Sequence, residues 1–168
     1  MKSATWENIF KGWNSSESAT VHTLKQVPIF KELTDKEFNE LEKLIHHRKY
    51  NEGDFVFKNR ATGEGMYIIM EGSVKITLGT KSDNESILAE LSEGDFFGEL
   101  ALFDDEPRSA NAIATQDSEL LGFFTQDLMT LQERNPVLGQ KILFNLGGVL
   151  GERLRGTNSL LIKAQSNK

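Results

Sequence analysis

Residues 93–110 read EGDFFGELALFDDEPRSA. The first four, Glu93-Gly94-Asp95-Phe96, repeat Glu52-Gly53-Asp54-Phe55 from earlier in the chain. A glycine turn that twice delivers an aromatic residue into a strand is what a rolled, pseudo-repeating sheet produces. Upstream, Ser86–Phe97 alternates Ile87, Ala89 and Leu91 with polar residues and reads as strand; downstream, Asn111–Gln116 reads as strand again. Between them lie Gly98, an apolar stretch long enough for one or two helical turns, and the acidic connection Asp104-Asp105-Glu106.

The same texture extends outward from Tyr50 to about Phe124. Phe55/Phe57 and Val74/Ile76/Leu78 alternate over short runs, with Gly53, Gly63, Gly65, Gly72 and Gly94 at the turns. Strands at intervals of roughly ten residues predict a sandwich, barrel or jelly-roll type of sheet. Helical patterns flank it. Trp6, Ile9, Phe10 and Trp13 fall on one face of a short helix, and Asn14–Ser18 reads as a loop. That face has three outlets: packing on its own domain, a partner contact, or a membrane interface that its charges disfavour. After Val27-Pro28-Ile29-Phe30, Thr34-Asp35-Lys36-Glu37 is a capping box. It starts a helix with Phe38, Leu41 and Ile45 on one side, expected to end near His46–Tyr50. Beyond Phe124, Thr125 is expected to cap a helix through about Asn135. Asn135 then caps a last helix with Pro136 at its first position. Its apolar face is Val137, Ile142, Leu146, Val149, Leu150 and Leu154. Gly147, Gly148, Gly151 and Gly156 each cost that helix roughly 1 kcal/mol against alanine. It is therefore either closely packed against something or marginal and able to move.

Composition removes several function classes. The chain has 168 residues, 38% hydrophobic and 26% charged, which suits a folded domain rather than disorder. Nineteen basic against 25 acidic residues leave a formal charge of −6, which opposes a nucleic-acid backbone as partner. There is no cysteine, so disulfides, thiolate metal sites and cysteine nucleophiles are excluded. The first residues lack the apolar run of a signal peptide, and MYIIM at Met66–Met70 falls far short of a membrane span. A soluble, cytoplasmic protein is expected. His46 and His47 are adjacent and diverge, only His22 remains, and no nucleophile elbow is present. Neither a metal centre nor an enzyme is expected.

The chemistry concentrates in Phe97–Ala110. A strand, a glycine and a short helix point backbone N–H groups into one concavity, which favours an anion. Arg108 adds a planar cation able to grip two phosphate oxygens. Glu99 would be repelled by a phosphate unless it accepts from a hydroxyl, and a ribose supplies one. A nucleoside phosphate satisfies both. Taken singly, each residue has a plainer role: Arg108 as a surface arginine paired with Asp104, Asp105 or Glu106, and Glu99 as a first-turn residue favoured by the helix dipole.

Gly98-Glu99-Leu100-Ala101 followed by Pro107-Arg108-Ser109-Ala110 resembles the phosphate-binding cassette of the cyclic-nucleotide-binding domains, of the catabolite activator protein and protein kinase A regulatory subunit type. The resemblance extends from about Leu24 to Leu161 and includes VPIFKELT, GDFVF, GSV and EGDFFGE. It implies an α+β fold that is mainly β: N-terminal helices, an antiparallel, jelly-roll-like β-roll of eight strands, a short cassette helix, and C-terminal B and C helices that close as a lid. It divides the chain into an N-terminal helical extension, 1–23, and a binding domain, 24–168. By this likeness Arg108 pairs with the cyclic phosphate and Glu99 accepts from the ribose 2′-OH. Gly98, the N–H groups of Leu100, Ala101 and Ala110, and the Ser109 hydroxyl complete the cradle. Thr157 is the expected base contact, and cAMP is favoured over cGMP. No other cofactor is implied. The output is expected to pass through the C-terminal helix to an effector protein, or through a homodimer of that helix. Because the sequence stops at Lys168, direct DNA binding is not expected. The alternatives are an interaction module of this fold without a nucleotide ligand and a fragment of a DNA-binding regulator.

Overall fold

The fold is described from a computed structural model for residues 17–79 and 85–166; the expected Trp6/Ile9/Phe10/Trp13 helix lies outside them. Short alternating runs become eight strands. These are β1 (His46–Tyr50), β2 (Phe55–Phe57), β3 (Gly65–Glu71), β4 (Ser73–Leu78), β5 (Ser86–Ser92), β6 (Phe96–Phe97), β7 (Asn111–Ala114) and β8 (Ser118–Phe124). All pairings are antiparallel, in two four-stranded sheets ordered β1-β8-β3-β6 and β2-β7-β4-β5. The expected mainly β roll with flanking helices is therefore the observed architecture.

Strands β3 and β8 are covered on both faces, because successive side chains point to opposite sides of a sheet. Met66, Ile68, Leu121 and Phe123 face the helices and join Leu24, Phe30, Leu41 and Leu138 in the larger core cluster. Ile69 and Leu120 face into the roll and meet Val74, Phe97 and Ala112. Phe30 meets Phe123 edge to face at 6.4 Å, a favourable aromatic geometry.

Four helices flank the roll: α1 (Ala19–Gln26), α2 (Asp35–Glu42), α3 (Thr125–Arg134) and α4 (Pro136–Ser166). Helix α1 was not anticipated. Half of its buried face is Thr20 and Thr23, so the apolar signal is thin. Thr20 Oγ1 lies 3.1 Å from His47 Nε2, and Thr23 donates to the Ala19 carbonyl. Helix α2 begins in the expected Thr34/Glu37 capping box but ends at Glu42. His46–Tyr50, expected as the end of that helix, is strand β1, paired with β8 from His46↔Gly122 to Tyr50↔Ser118. Its composition, HHRKY, hides the alternation because β1 is an edge strand, where polar side chains protect the unpaired side.

At α3 the cap is shifted by one residue. Phe124 is the N-cap and its N–H donates to Asp127 Oδ2 at 2.9 Å. The Thr125 hydroxyl instead donates to the carbonyls of Ala101 (2.8 Å) and Glu64 (3.2 Å). Helix α4 starts as expected: Asn135 Oδ1 accepts from Leu138 N–H at 3.2 Å, and Pro136 is its first residue. Asn135 also donates to Glu40 at 3.0 Å, tying the cap to α2. Asn135→Ala is expected to lower stability by about 1 kcal/mol, seen as a lower urea midpoint with an unchanged slope. An unmoved midpoint would contradict this role.

The buried stripe of α4 is Leu138, Gly139, Ile142 and Leu146. Val137 and Leu154, expected on it, are 63% and 62% exposed: Leu138 takes the place of Val137 at the start of the stripe, and beyond Leu146 the helix is no longer buried, meeting the roll through Arg153. A Cβ at Gly147, Gly148 or Gly156 would meet nothing within 4 Å among the described residues, so close packing against those does not explain the three glycines.

Candidate functional site

Strand β6 ends at Gly98, where the chain turns into a 3-10 helix, Glu99–Leu102. Gly98 has φ +77°, and a Cβ there would approach Arg108 Nη1 to 2.7 Å. Glycine is required for both the turn and the close approach. The helix is held from outside by Thr125, which caps the Ala101 carbonyl.

Arg108 is only 8% exposed. Its backbone is fixed by a pair of 2.8 Å bonds, Arg108 N–H to the Ala61 carbonyl and Arg60 N–H to the Arg108 carbonyl. Its side chain donates through Nη1 to the Gly98 carbonyl (2.9 Å) and through Nη2 to the Gly65 carbonyl (2.7 Å). The guanidinium carbon lies 4.1 Å from the Phe57 ring centroid. Asp104, Asp105 and Glu106 are exposed and form no ion pair with it among the described residues. Arg108 is thus a buried cation and not a surface arginine. Burial pulls its pKa down, against the opposing pull of Tyr67, Glu64 and Glu99. A guanidinium has five N–H groups. Two reach carbonyls, Nε meets no acceptor among the described residues, and two remain for an anion.

Glu99 is 6% exposed and is held by a residue the sequence reading did not single out. Arg153 of α4 donates to Glu99 Oε1 at 2.5 Å and to the Phe96 carbonyl at 3.1 Å, with its guanidinium 4.6 Å from the Phe96 ring centroid. The available signal was helical spacing: Arg153 precedes Thr157 by four residues and shares its face. The Thr157 hydroxyl donates back to the Arg153 carbonyl at 3.0 Å and keeps its lone pairs as acceptors. Ala101 N–H, expected in an anion cradle, already makes a 3.3 Å bond to the Gly98 carbonyl.

These groups surround a cavity of about 660 Å³. Gly98, Glu99, Leu100, Ala101, Arg108, Ser109, Ala110 and Thr157 all line it, so the eight residues singled out from the sequence converge on one space. Ile76, Ala89 and Leu91 supply an apolar wall from the roll, while Arg153, Gly156 and Leu160 come from α4. A cavity of this size fits a small molecule, and its polar groups suit an anion beside a hydroxyl donor.

Other titratable groups form separate pairs. His46 Nε2 lies 3.1 Å from Asp127, and His47 Nδ1 lies 2.7 Å from Glu119. No group of three potential metal ligands occurs among the described residues, and none of the described helices is long and apolar enough to cross a membrane.

The sequence pattern described as "Cyclic nucleotide-binding domain" matches residues 47–135. The Cyclic AMP receptor protein of Thermus thermophilus is 33% identical over 132 residues, covering 79% of this chain and 59% of the receptor. A cGMP-dependent protein kinase of Drosophila melanogaster is 36% identical over 91 residues, covering 54% of this chain and 10% of the kinase. The chain therefore spans well under two thirds of the length of these relatives. Among solved structures, a cyclic nucleotide-binding domain from Methylobacillus flagellatus superposes with a TM-score of 0.74 at 19% identity, covering 86% of this chain and 81% of that one. That likeness is one of fold.

Proposed function

The chain belongs to the cyclic nucleotide-binding domain family, and we propose that it is a sensor that binds a cyclic nucleotide, cAMP in preference to cGMP, and reports it to a partner through α4. The observation that carries this reading is the buried Arg108, with two N–H groups left over, beside the buried Glu99 in one 660 Å³ cavity.

In this reading Arg108 and Ser109 hold the cyclic phosphate, with Gly98 and the backbone of Leu100 and Ala110 closing the cradle, while Ala101, whose N–H is bonded to the Gly98 carbonyl, lines it. Glu99 accepts from the ribose 2′-OH. Arg153 neutralises Glu99 through Oε1, which leaves Oε2 for the hydroxyl and relieves its repulsion of the phosphate. Thr157 meets the base. Support for cAMP is the likeness to a cyclic AMP receptor, which extends over 79% of this chain. The absence of cysteine suits a reducing cytoplasm. The role is binding and regulation rather than catalysis.

The signal is a difference in affinity between two positions of α4, since only such a difference shifts an equilibrium. Arg153, Gly156, Thr157 and Leu160 reach the cavity from α4, so that helix senses occupancy directly. Beyond it, Leu154, Leu160, Leu161 and Ile162 are exposed and available to an effector protein. Leu143, Gly147, Leu150, Leu154, Thr157 and Leu161 follow alternating spacings of four and three, which also suits pairing with a second copy.

Calorimetry with cAMP and cGMP tests the reading. Binding of both is expected, cAMP the tighter; no heat with either at high micromolar ligand overturns it in favour of an interaction module without a nucleotide. The 2′-deoxy form of cAMP is expected to bind about tenfold or more weakly. In Glu99→Gln that gap should shrink, and a gap of full size would remove Glu99 from the ribose.

A further inference from the structure

We infer that Phe57 is a positioning residue for Arg108, its ring fixing the guanidinium in the plane that leaves two N–H groups open to an anion; the inference rests on the ligand reading above. Arg108 is buried without a carboxylate partner, and its two carbonyl bonds account for Nη1 and Nη2 only. Nε is shielded and has no acceptor. The negative face of Phe57, 4.1 Å from the guanidinium carbon, compensates that charge at contact distance, beside the pull of Tyr67, Glu64 and Glu99, none of which is bonded to it.

Phe57 is itself held firmly. Its ring lies 6.3 Å from Tyr67 and 5.8 Å from Phe97, and those two stack on each other at 5.8 Å. Strand β2 shifts register against β7 between Phe55 and Phe57. An irregularity of this kind re-aims a side chain, here toward the site. The space above Gly98 is closed by the same pair: a Cβ there would lie 2.7 Å from Arg108 Nη1 and 3.3 Å from Phe57 Cε1. A leucine or methionine would fill the volume of Phe57 but would present no π face.

Two measurements test this. In the unliganded protein, the Arg108 Nε–H resonance is expected to be displaced by the ring current of Phe57 and to move to the ordinary arginine range in Phe57→Leu. An unmoved resonance overturns the placement whether or not any nucleotide binds. In calorimetry with cAMP, Phe57→Leu and Phe57→Met are expected to bind roughly 10- to 30-fold more weakly, while Phe57→Tyr stays within about twofold of the parent. Equal losses in Tyr and Leu, or no loss in Leu or Met, overturn the positioning role. If the unaltered protein binds neither cAMP nor cGMP, the ligand reading fails instead, and the resonance alone decides Phe57.

Discussion

Arg108→Leu is expected to weaken cAMP binding by between about 10² and 10⁴-fold, read by calorimetry. The two N–H groups not committed to carbonyls would each make a charge-assisted bond to phosphate, worth about 1.5–3 kcal/mol, and each 1.4 kcal/mol is a factor of ten. The stability effect is expected to be much smaller. Leucine leaves the carbonyls of Gly65 and Gly98 without their donor, at about 1–3 kcal/mol each if they stay dry. It also removes a cation that burial disfavours, so the two changes oppose each other. Arg108→Lys separates charge from geometry. An ammonium cannot reach both carbonyls and the anion together, and most of the loss should persist. Wild-type affinity in Arg108→Leu would mean that the phosphate binds elsewhere.

Gly65→Ala is expected to be the most damaging single methyl in the protein, costing about 3 kcal/mol or more. Gly65 has φ +154°, and a Cβ there would lie 2.4 Å from the Phe123 carbonyl oxygen and 2.5 Å from Phe124 Cα. Both obstacles are backbone atoms of β8, the strand to which Gly65 pairs opposite Phe124. Relief requires β3 and β8, the two central strands of their sheet, to part at the Gly65/Phe124 end of their ladder, which adds overpacking to backbone strain. The Gly65 carbonyl also accepts from Arg108 Nη2, so cAMP affinity should fall in whatever protein still folds. Urea unfolding measures the first effect and calorimetry the second. A cost below about 1 kcal/mol with unchanged affinity would show that the strands yield more easily than this geometry allows.

How much of this was legible beforehand depends on how local the information is. That Gly98, Glu99, Arg108 and Ser109 share one cavity was legible because their chemistry and spacing lie within one short segment. The Thr34/Glu37 box and the Asn135-Pro136 start were readable because caps are local hydrogen bonds. Strand β1 was not, since an edge strand reading HHRKY carries no apolar alternation and its identity comes from its partner β8. Helix α1 was missed because threonines cover half of its buried face. Arg153 was missed for a different reason: its partner Glu99 is 54 positions away in sequence, and only the folded chain brings them together. The burial of Arg108 was hidden for a similar reason: its acceptors are the carbonyl oxygens of Gly98 and Gly65, a group every residue carries and no pattern marks.

Helix α4 has 31 residues, and its last fully buried side chain is Leu146. Ser166 is 20 residues beyond that point and Arg153 only seven, distances of about 30 Å and about 10 Å along the axis. Taken as a rigid lever with its fulcrum at Leu146, the helix multiplies displacement by about 20/7, or roughly threefold. A shift of about 2 Å at the Arg153–Glu99 contact would carry the far end by about 6 Å. The short arm is therefore where force is applied, and the long arm is where travel is read out.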